Sequence, residues 1–230
     1  MKQMDISDLK AEAKIFCEFM KQENHTSLIG ITDGKAVGTY IEHRFQKYLS
    51  SKYEIEIGNS AKGIDLPGST IETDIKVTSI VQPQSSCPFK NARQKIFGLG
   101  YNLLIFVYDK KDTPTTCTLD FKYCTFIDKS RTADFTFTKR LREMIDDGAN
   151  KDDIVGFLVD KYVPGDATVY SDLADEILRN KPKQGYLTIN NDLQWRLKYT
   201  KVISLENTVN GVLNYEWQWF KKGIWWLSNS

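Results

Sequence analysis

Residues 101–108, with the sequence YNLLIFVY, decide the fold of this chain. A strand with one face in solvent alternates apolar and polar residues, whereas an almost continuous apolar run is typical of a strand that is covered on both faces. We therefore predict that this strand lies inside a sheet, with packed layers on either side.

The segments around this strand predict alternating helices and strands. Asp5 or Ser7 can cap the first helix, whose apolar residues form one stripe. From the N-terminus we predict helices over 6–21 and 36–49, strands over 53–57 and 69–80, a polar loop over 82–90, a short helix over 91–97 and a strand over 115–127. This order predicts an α/β fold with a mixed central β-sheet flanked by helices.

The second half of the chain predicts a C-terminal α+β region. Three short helices are expected over 136–146, 151–161 and 168–180, and strands over 185–190 and 212–219, while 195–205 fits either state. We predict a boundary near residue 130, between the segments 1–130 and 131–230. The second segment is expected either as a separate lobe or as part of one domain.

Charge and cysteine content narrow the classes of function. Lys and Arg number 31 against 30 Asp and Glu, and a formal net charge of +1 excludes a uniformly basic polyanion binder, although not a basic cleft. The 4 cysteines form no CxxC pair, which disfavours a zinc site. No signal-peptide core and no long apolar run occur, so we expect a cytoplasmic protein without membrane segments.

The small number of histidines and the lack of known catalytic motifs indicate that carboxylates and lysines would carry any catalysis. The only histidines are His25 and His43, and we interpret both as ordinary surface residues. The sequence contains no P-loop, no dinucleotide-binding fingerprint, no zinc-protease motif and no internal repeat.

Residues 63–79, GIDLPGSTIETDIKVTS, carry the strongest chemical signal. In a strand, alternating side chains share a face, so Glu72, Asp74 and Lys76 are predicted to point together. Asp65 precedes the Pro-Gly turn and can fold back over Asp74. Two converging carboxylates suit Mg²⁺, and a lysine beside them can orient water. The alternative is a solvated sheet face with an ordinary ion pair.

This stretch resembles the PD-(D/E)xK nuclease superfamily, which includes most type II restriction endonucleases. In that resemblance Asp65 is the first acidic residue, Asp74 the second and Lys76 the lysine, while Ile64 replaces the usual proline. The resemblance covers about residues 36–127 and implies a restriction-endonuclease-like fold. It also implies a Mg²⁺ cofactor held by both aspartates and the carbonyl of Ile75.

The resemblance also implies a glutamate on the helix ahead of the motif. Glu42 fits this position, and Glu72 is its rival for the third carboxylate. Both residues could reach the same metal ion, so the choice between them stays open at this stage.

The function implied is sequence-specific hydrolysis of double-stranded DNA, with 5′-phosphate and 3′-hydroxyl products. The resemblance further implies a catalytic core over 1–130, and DNA recognition or dimerisation over 131–230. Cutting both strands of a palindrome implies a homodimer, and a restriction system implies a cognate DNA methyltransferase that protects the same site. Alternatives are a structure- or lesion-directed repair nuclease of the same superfamily, an inactive DNA-binding module, and a carbohydrate-binding protein that uses the C-terminal tryptophans.

Polar and basic side chains outside the motif are predicted to contact DNA, because Lys and Arg bind phosphates while Asn, Gln and Arg read base edges. These residues are Gln82, Gln84, Ser85, Ser86, Lys90, Arg93, Arg131, Lys183, Gln184, Asn190 and Asn191. The tryptophans of residues 214–226 are expected to close the core or bury a subunit interface, in preference to stacking on bases.

Overall fold

The computed structural model describes residues 1–58, 63–86, 91–190 and 196–217. Its helices are α1 Ile6–Met20, α2 Gly34–Ser50, α3 Arg93–Phe97, α4 Phe135–Asp146, α5 Lys151–Asp160, α6 Ala167–Arg179 and α7 Thr200–Ile203. Its strands are β1 Lys2–Gln3, β2 Tyr53–Glu54, β3 Thr73–Ser79, β4 Gln84–Ser86, β5 Asn102–Asp112, β6 Cys117–Ile127, β7 Thr188–Asn190, β8 Arg196–Lys198 and β9 Val212–Glu216.

The central sheet has the strand order β3-β5-β6-β9 and is mixed, as predicted. β3 and β5 are parallel, while β6 runs antiparallel to both β5 and β9. Residues 103–107 of β5 are completely buried because each face of this strand meets a different core. Leu104 and Phe106 face the layer of α1 and α2, and Leu103, Ile105 and Val107 face the layer of β7, β8 and α7.

The two N-terminal helices form where the apolar stripe predicted them. Asp5 caps α1 by accepting the N–H of Asp8, and Asp33 caps α2 through the N–H groups of Lys35 and Ala36. The Phe16 ring of α1 packs against the Phe45 ring of α2, with 4.9 Å between their centroids. Both helices thereby cover one face of the sheet.

The strand before the site is shorter than predicted. It begins at Thr73 rather than at residue 69, because Leu66 and Thr73 form a two-residue antiparallel bridge that closes a turn over the residues between them. Within this turn Glu72 adopts φ 29°, a conformation that side chains rarely adopt. The strand expected over 53–57 is likewise reduced to the two residues of β2, which pair with β1.

A second small sheet lies where a polar loop was expected. β4 pairs antiparallel with β8, and β8 pairs antiparallel with β7. The prediction of a loop over 82–90 is therefore wrong for Gln84–Ser86, which finds its partner more than a hundred residues later in the chain. The ambiguous segment 195–205 contributes both β8 and α7 to the described residues.

The C-terminal region is packed together with the N-terminal one. The helices α4, α5 and α6 form where they were predicted, and they share a core with Ala92 and Ile96 of the N-terminal segment. β9 joins the central sheet beside β6. Residues 131–217 therefore contribute to the same cores as residues 1–130, while their role in recognition or dimerisation stays a prediction. Among the described residues, no helix combines the length and the apolar character needed to cross a membrane.

Candidate active site

The turn ahead of β3 brings Asp65 back to the strand, as the sequence predicted. The bridge between Leu66 and Thr73 is closed by two backbone hydrogen bonds of 3.0 and 2.9 Å. The backbone N–H of Ile75 then donates to the Asp65 carboxylate at 2.7 Å. Asp65 is therefore held beside the strand by the backbone of the residue that follows Asp74.

Asp74 and Lys76 form an ion pair on one face of β3. Lys76 Nζ lies 2.6 Å from Asp74 Oδ2, and the Asp74 side chain is only 6% exposed. In the register of the sheet Asp74 stands opposite Leu103 and Lys76 opposite Ile105, so both point to the layer of β7 and β8. Among the described strands β3 lies at the edge of the central sheet.

Glu42 completes this group from α2. Burial, the negative charge of Asp65 and a hydrogen bond with Asp65 together raise the pKa of Glu42 to about 7, against the opposing effect of Lys76. Burial and, to a smaller extent, Asp65 likewise raise the pKa of Asp74 to about 7, although Lys76 favours its charged form. We call Glu42, Asp65, Asp74 and Lys76 the carboxylate site.

The carboxylate site concentrates more negative charge than its lysine can balance. Three carboxyl groups that cannot all ionise easily either retain protons or bind a cation. Among the described residues, no three His, Cys, Asp or Glu side chains are placed so that they could bind one metal ion together. Mg²⁺ is commonly bound by one or two carboxylates with water in its other positions, and the oxygen ligands of this site fit that chemistry.

Glu72 lies outside the carboxylate site. Because it sits in the turn before β3, the prediction that it shares a face with Asp74 and Lys76 is wrong. Its carboxylate forms an ion pair of 3.0 Å with Lys129 instead. The structure thus brings Glu42, rather than its rival Glu72, to the two aspartates.

The predicted DNA-contacting residues near the site lie on the turn and strand after β3. Gln82 is exposed, whereas Gln84 and Ser85 are half-buried in β4 beside the exposed Ser86. The Ser85 hydroxyl is hydrogen-bonded to the buried hydroxyl of Tyr199 at 2.5 Å. Lys90 lies outside the described residues, as does Asn191.

Three of the other predicted DNA contacts are engaged within the fold. Arg93 binds Glu176 of α6 through two guanidinium nitrogens, at 3.0 and 2.7 Å. Arg131 donates to the backbone carbonyl of Asn210 at 2.9 Å. The Gln184 amide donates to the Phe135 carbonyl at 2.9 Å and to the Thr138 hydroxyl at 3.1 Å.

The last two residues predicted to contact DNA are Lys183 and Asn190. Lys183 is exposed, and Asn190 is half-buried at the end of β7. Most of the predicted tryptophan cluster, residues 218–226, lies outside the described part of the chain. Trp217 is described, and Lys21 Nζ lies 4.9 Å from the centre of its ring.

The sequence analysis missed Asn102, which holds the turn ahead of Asp74. Its buried amide donates to the Ile71 carbonyl at 2.8 Å and accepts the Lys129 N–H at 2.8 Å. The signal was available, because Asn102 is the one polar residue within the apolar run 101–108.

The histidine prediction holds for one of the two residues. His43 is exposed, but His25 is only 2% exposed, so its prediction as a surface residue is wrong. The His25 ring contacts the Met20 carbonyl at 2.9 Å and the Tyr40 hydroxyl at 3.1 Å. Burial lowers the pKa of this imidazole, which is consistent with a neutral residue of the core.

Known proteins resemble this chain over almost its whole length. Residues 3–214 match the family model described as type II restriction enzyme NspV. The type II restriction enzyme NspV of a Nostoc species is 52% identical over 212 residues, which cover 91% of this chain and 96% of that relative. No solved structure matches the chain.

Proposed function

Since the chain belongs to the family of the type II restriction enzyme NspV, it is a sequence-specific DNA endonuclease, and we propose that Asp65, Asp74 and Lys76 carry its reaction. The observation that supports this assignment most is that Asp65, held by the Ile75 N–H, and Glu42 approach the ion pair of Asp74 and Lys76 at the edge strand of the central sheet. The same convergence supports membership of the PD-(D/E)xK superfamily, with Ile64 in place of the usual proline.

The cofactor of this proposal is Mg²⁺. Asp65 and Asp74 would hold it with the carbonyl of Ile75, and Glu42 would bind it or its waters. When bound, the metal ion supplies positive charge against the charge that develops on the scissile phosphate. The raised pKa values of Glu42 and Asp74 support this fit, since a group of carboxyls that retains protons near neutrality gains most from a divalent cation.

Lys76 has the role of orienting the attacking water. The buried Asp74 holds the ammonium group of Lys76, which fixes the position from which Lys76 can donate to a water molecule. The water oxygen forms a bond to phosphorus in line with the bond to the 3′ oxygen, which breaks. The 3′ oxygen takes up a proton, so that the products are a 5′-phosphate and a 3′-hydroxyl.

The proposal extends to the assembly and its setting. A palindromic recognition sequence has two-fold symmetry, so a homodimer would place one carboxylate site on each strand. The partner in the cell would be a DNA methyltransferase that protects the same sequence, and the setting would be the cytoplasm.

Digestion of plasmid DNA tests the assignment. The wild-type protein should produce discrete fragments with Mg²⁺ and none with a chelator, and ligation without prior phosphorylation should verify the 5′-phosphates. Asp65→Asn should cut no DNA, while Asp172→Asn, the same change at an exposed position of α6, should cut as the wild type does. Cleavage by Asp65→Asn at the wild-type rate would remove this residue from the site.

A further inference from the structure

A cavity of about 630 Å³ lies between α3, α4 and α5. No residue of the carboxylate site lines it, so it is a separate feature of the surface. Four of its lining residues are cationic, namely Lys95, Lys139, Arg140 and Lys161. They come from α3, from α4 and from the residue after α5, so the tertiary fold brings these four cations together.

The floor of the cavity is apolar. The rings of Phe137 and Phe157 lie 4.8 Å apart, and Lys95 Nζ lies 5.3 Å from the centre of the Phe137 ring. Lys95 is only 6% exposed, although it lines the cavity. The aromatic rings beside Lys95 are less polar than water, which strengthens the attraction between its ammonium group and an anion.

Three carboxylates also line the cavity, namely Asp134, Glu143 and Asp160, and the first two leave Lys139 and Arg140 available. Both Asp134 oxygens accept backbone N–H groups, from Phe137 and from Ile189, at 2.8 Å. Glu143 lies 3.8 Å from Lys139 and 3.6 Å from Arg140, which is longer than a hydrogen bond between charged groups. Exposed pairs of this kind contribute little to stability, so both cations can turn to another anion.

The cavity adjoins the end of the central sheet at which the carboxylate site lies. Asn102, the first residue of β5 after α3, stands opposite Thr73, which directly precedes Asp74. The backbone N–H of Asp134 donates to the Lys95 carbonyl at 3.0 Å and ties α4 to α3 at this end. A duplex with its scissile phosphate at Asp74 that runs towards this end of the sheet would reach the cavity.

We propose that the cavity between α3, α4 and α5 binds a backbone phosphate of the DNA substrate, away from the scissile bond. This inference rests on the proposed function, because it takes the position of the duplex from the carboxylate site. The contact carries no sequence information itself and holds the duplex in register.

The test is the binding of a fluorescent duplex without Mg²⁺ over a series of salt concentrations. Lys139→Gln/Arg140→Gln should weaken binding about tenfold and lower the salt slope by about one to two, because each phosphate contact releases counterions. Lys47→Gln, an exposed lysine on α2, should change neither value. An unchanged dissociation constant and slope in the double variant would overturn the proposal.

Glu143→Gln supplies a test of opposite sign. It removes the carboxylate that competes for Lys139 and Arg140, so we expect DNA binding to tighten about two- to fivefold. A purely structural role of these ion pairs would lower the melting temperature and leave DNA affinity unchanged, and that result would count against the proposal.

Two further controls separate the possible failures. If inorganic pyrophosphate stabilises the wild type but not the double variant, while both bind DNA equally, the ligand is a free phosphate compound and the DNA contact is refuted. Plasmid cleavage by the wild type is measured in parallel. Absence of cleavage by the wild type would refute the proposed function. If the wild type cleaves and the double variant binds DNA as tightly as the wild type, only this inference is refuted.

Discussion

Asp74→Asn should stabilise the metal-free protein while it abolishes cleavage. Burial, together with the neighbouring Asp65, raises the pKa of Asp74 from 3.8 to about 7, even though Lys76 opposes the change. A carboxyl whose pKa is raised by folding binds its proton more tightly in the folded state. The stability of the wild type therefore falls as the pH rises from about 4 to about 7, and it stays low above that range.

The size of the effect follows from that shift. About three powers of ten in proton affinity correspond to about 4 kcal/mol at pH 8. Glu42 can keep its proton in the wild type, which lowers the cost of charging Asp74, so we expect about half of this amount, about 2 kcal/mol. For a chain of this length the melting temperature should rise by about 4 to 8 °C.

The assay is thermal unfolding with a chelator at pH 8 and at pH 5, at one protein concentration. The gain of Asp74→Asn should shrink by more than half at pH 5, because Asp74 is already protonated in the folded wild type there. Asp172→Asn serves as the control and should show no such change. Destabilisation by Asp74→Asn at pH 8, or a gain that does not depend on pH, would refute the reasoning.

Three other results are expected. Mg²⁺ should raise the melting temperature of the wild type more at pH 8 than at pH 6, since Glu42 and Asp74 must lose protons to bind it, and equal shifts would contradict this. In a digestion time course Glu42→Gln should lower the cleavage rate about 10- to 100-fold. Glu72→Gln should cut within about threefold of the wild-type rate, because the Glu72 carboxylate pairs with Lys129. A larger loss of rate in Glu72→Gln than in Glu42→Gln would assign the third carboxylate to Glu72. Gln184→Ala should lower the free energy of unfolding by about 1–3 kcal/mol without changing DNA affinity, because the Gln184 amide is hydrogen-bonded within the fold. Weaker DNA binding with an unchanged free energy of unfolding would show that the amide contacts DNA instead.

The parts of the fold that local patterns specify could be predicted from the sequence. The buried strand β5 follows from an apolar run, and α1 and α2 follow from apolar stripes with capping aspartates. The approach of Asp65 to Asp74 was also predictable, because only a short turn around Pro67-Gly68 separates the two residues in the chain.

Contacts between distant segments could not be predicted in the same way. β4 carries no strand pattern of its own and becomes a strand because β8 supplies its hydrogen bonds. Glu72 does not follow the predicted alternation because β3 begins only at Thr73, where the bridge to Leu66 closes the turn that contains Glu72. Alternation describes a residue's face only where the strand exists.

The predicted DNA contacts stay predictions, and sequence alone does not distinguish two uses of the same side chains. Arg93 and Gln184 have the composition expected of DNA-reading residues, yet Arg93 binds Glu176 and Gln184 binds backbone carbonyls. Arginine and glutamine satisfy acceptors inside a protein with the same groups that contact nucleic acid. The cationic cavity was hidden for a related reason, because its residues lie on three helices.

The central claim is that the carboxylate site cuts DNA, and single-turnover cleavage of a mapped fragment tests it most directly. Wild type, Asp74→Asn and Asp172→Asn are compared with Mg²⁺, and their DNA binding is measured with Ca²⁺ in its place. We predict that Asp74→Asn binds the fragment and cuts it at least about a thousandfold more slowly, while Asp172→Asn matches the wild type. Cleavage by Asp74→Asn at the wild-type rate would contradict the account.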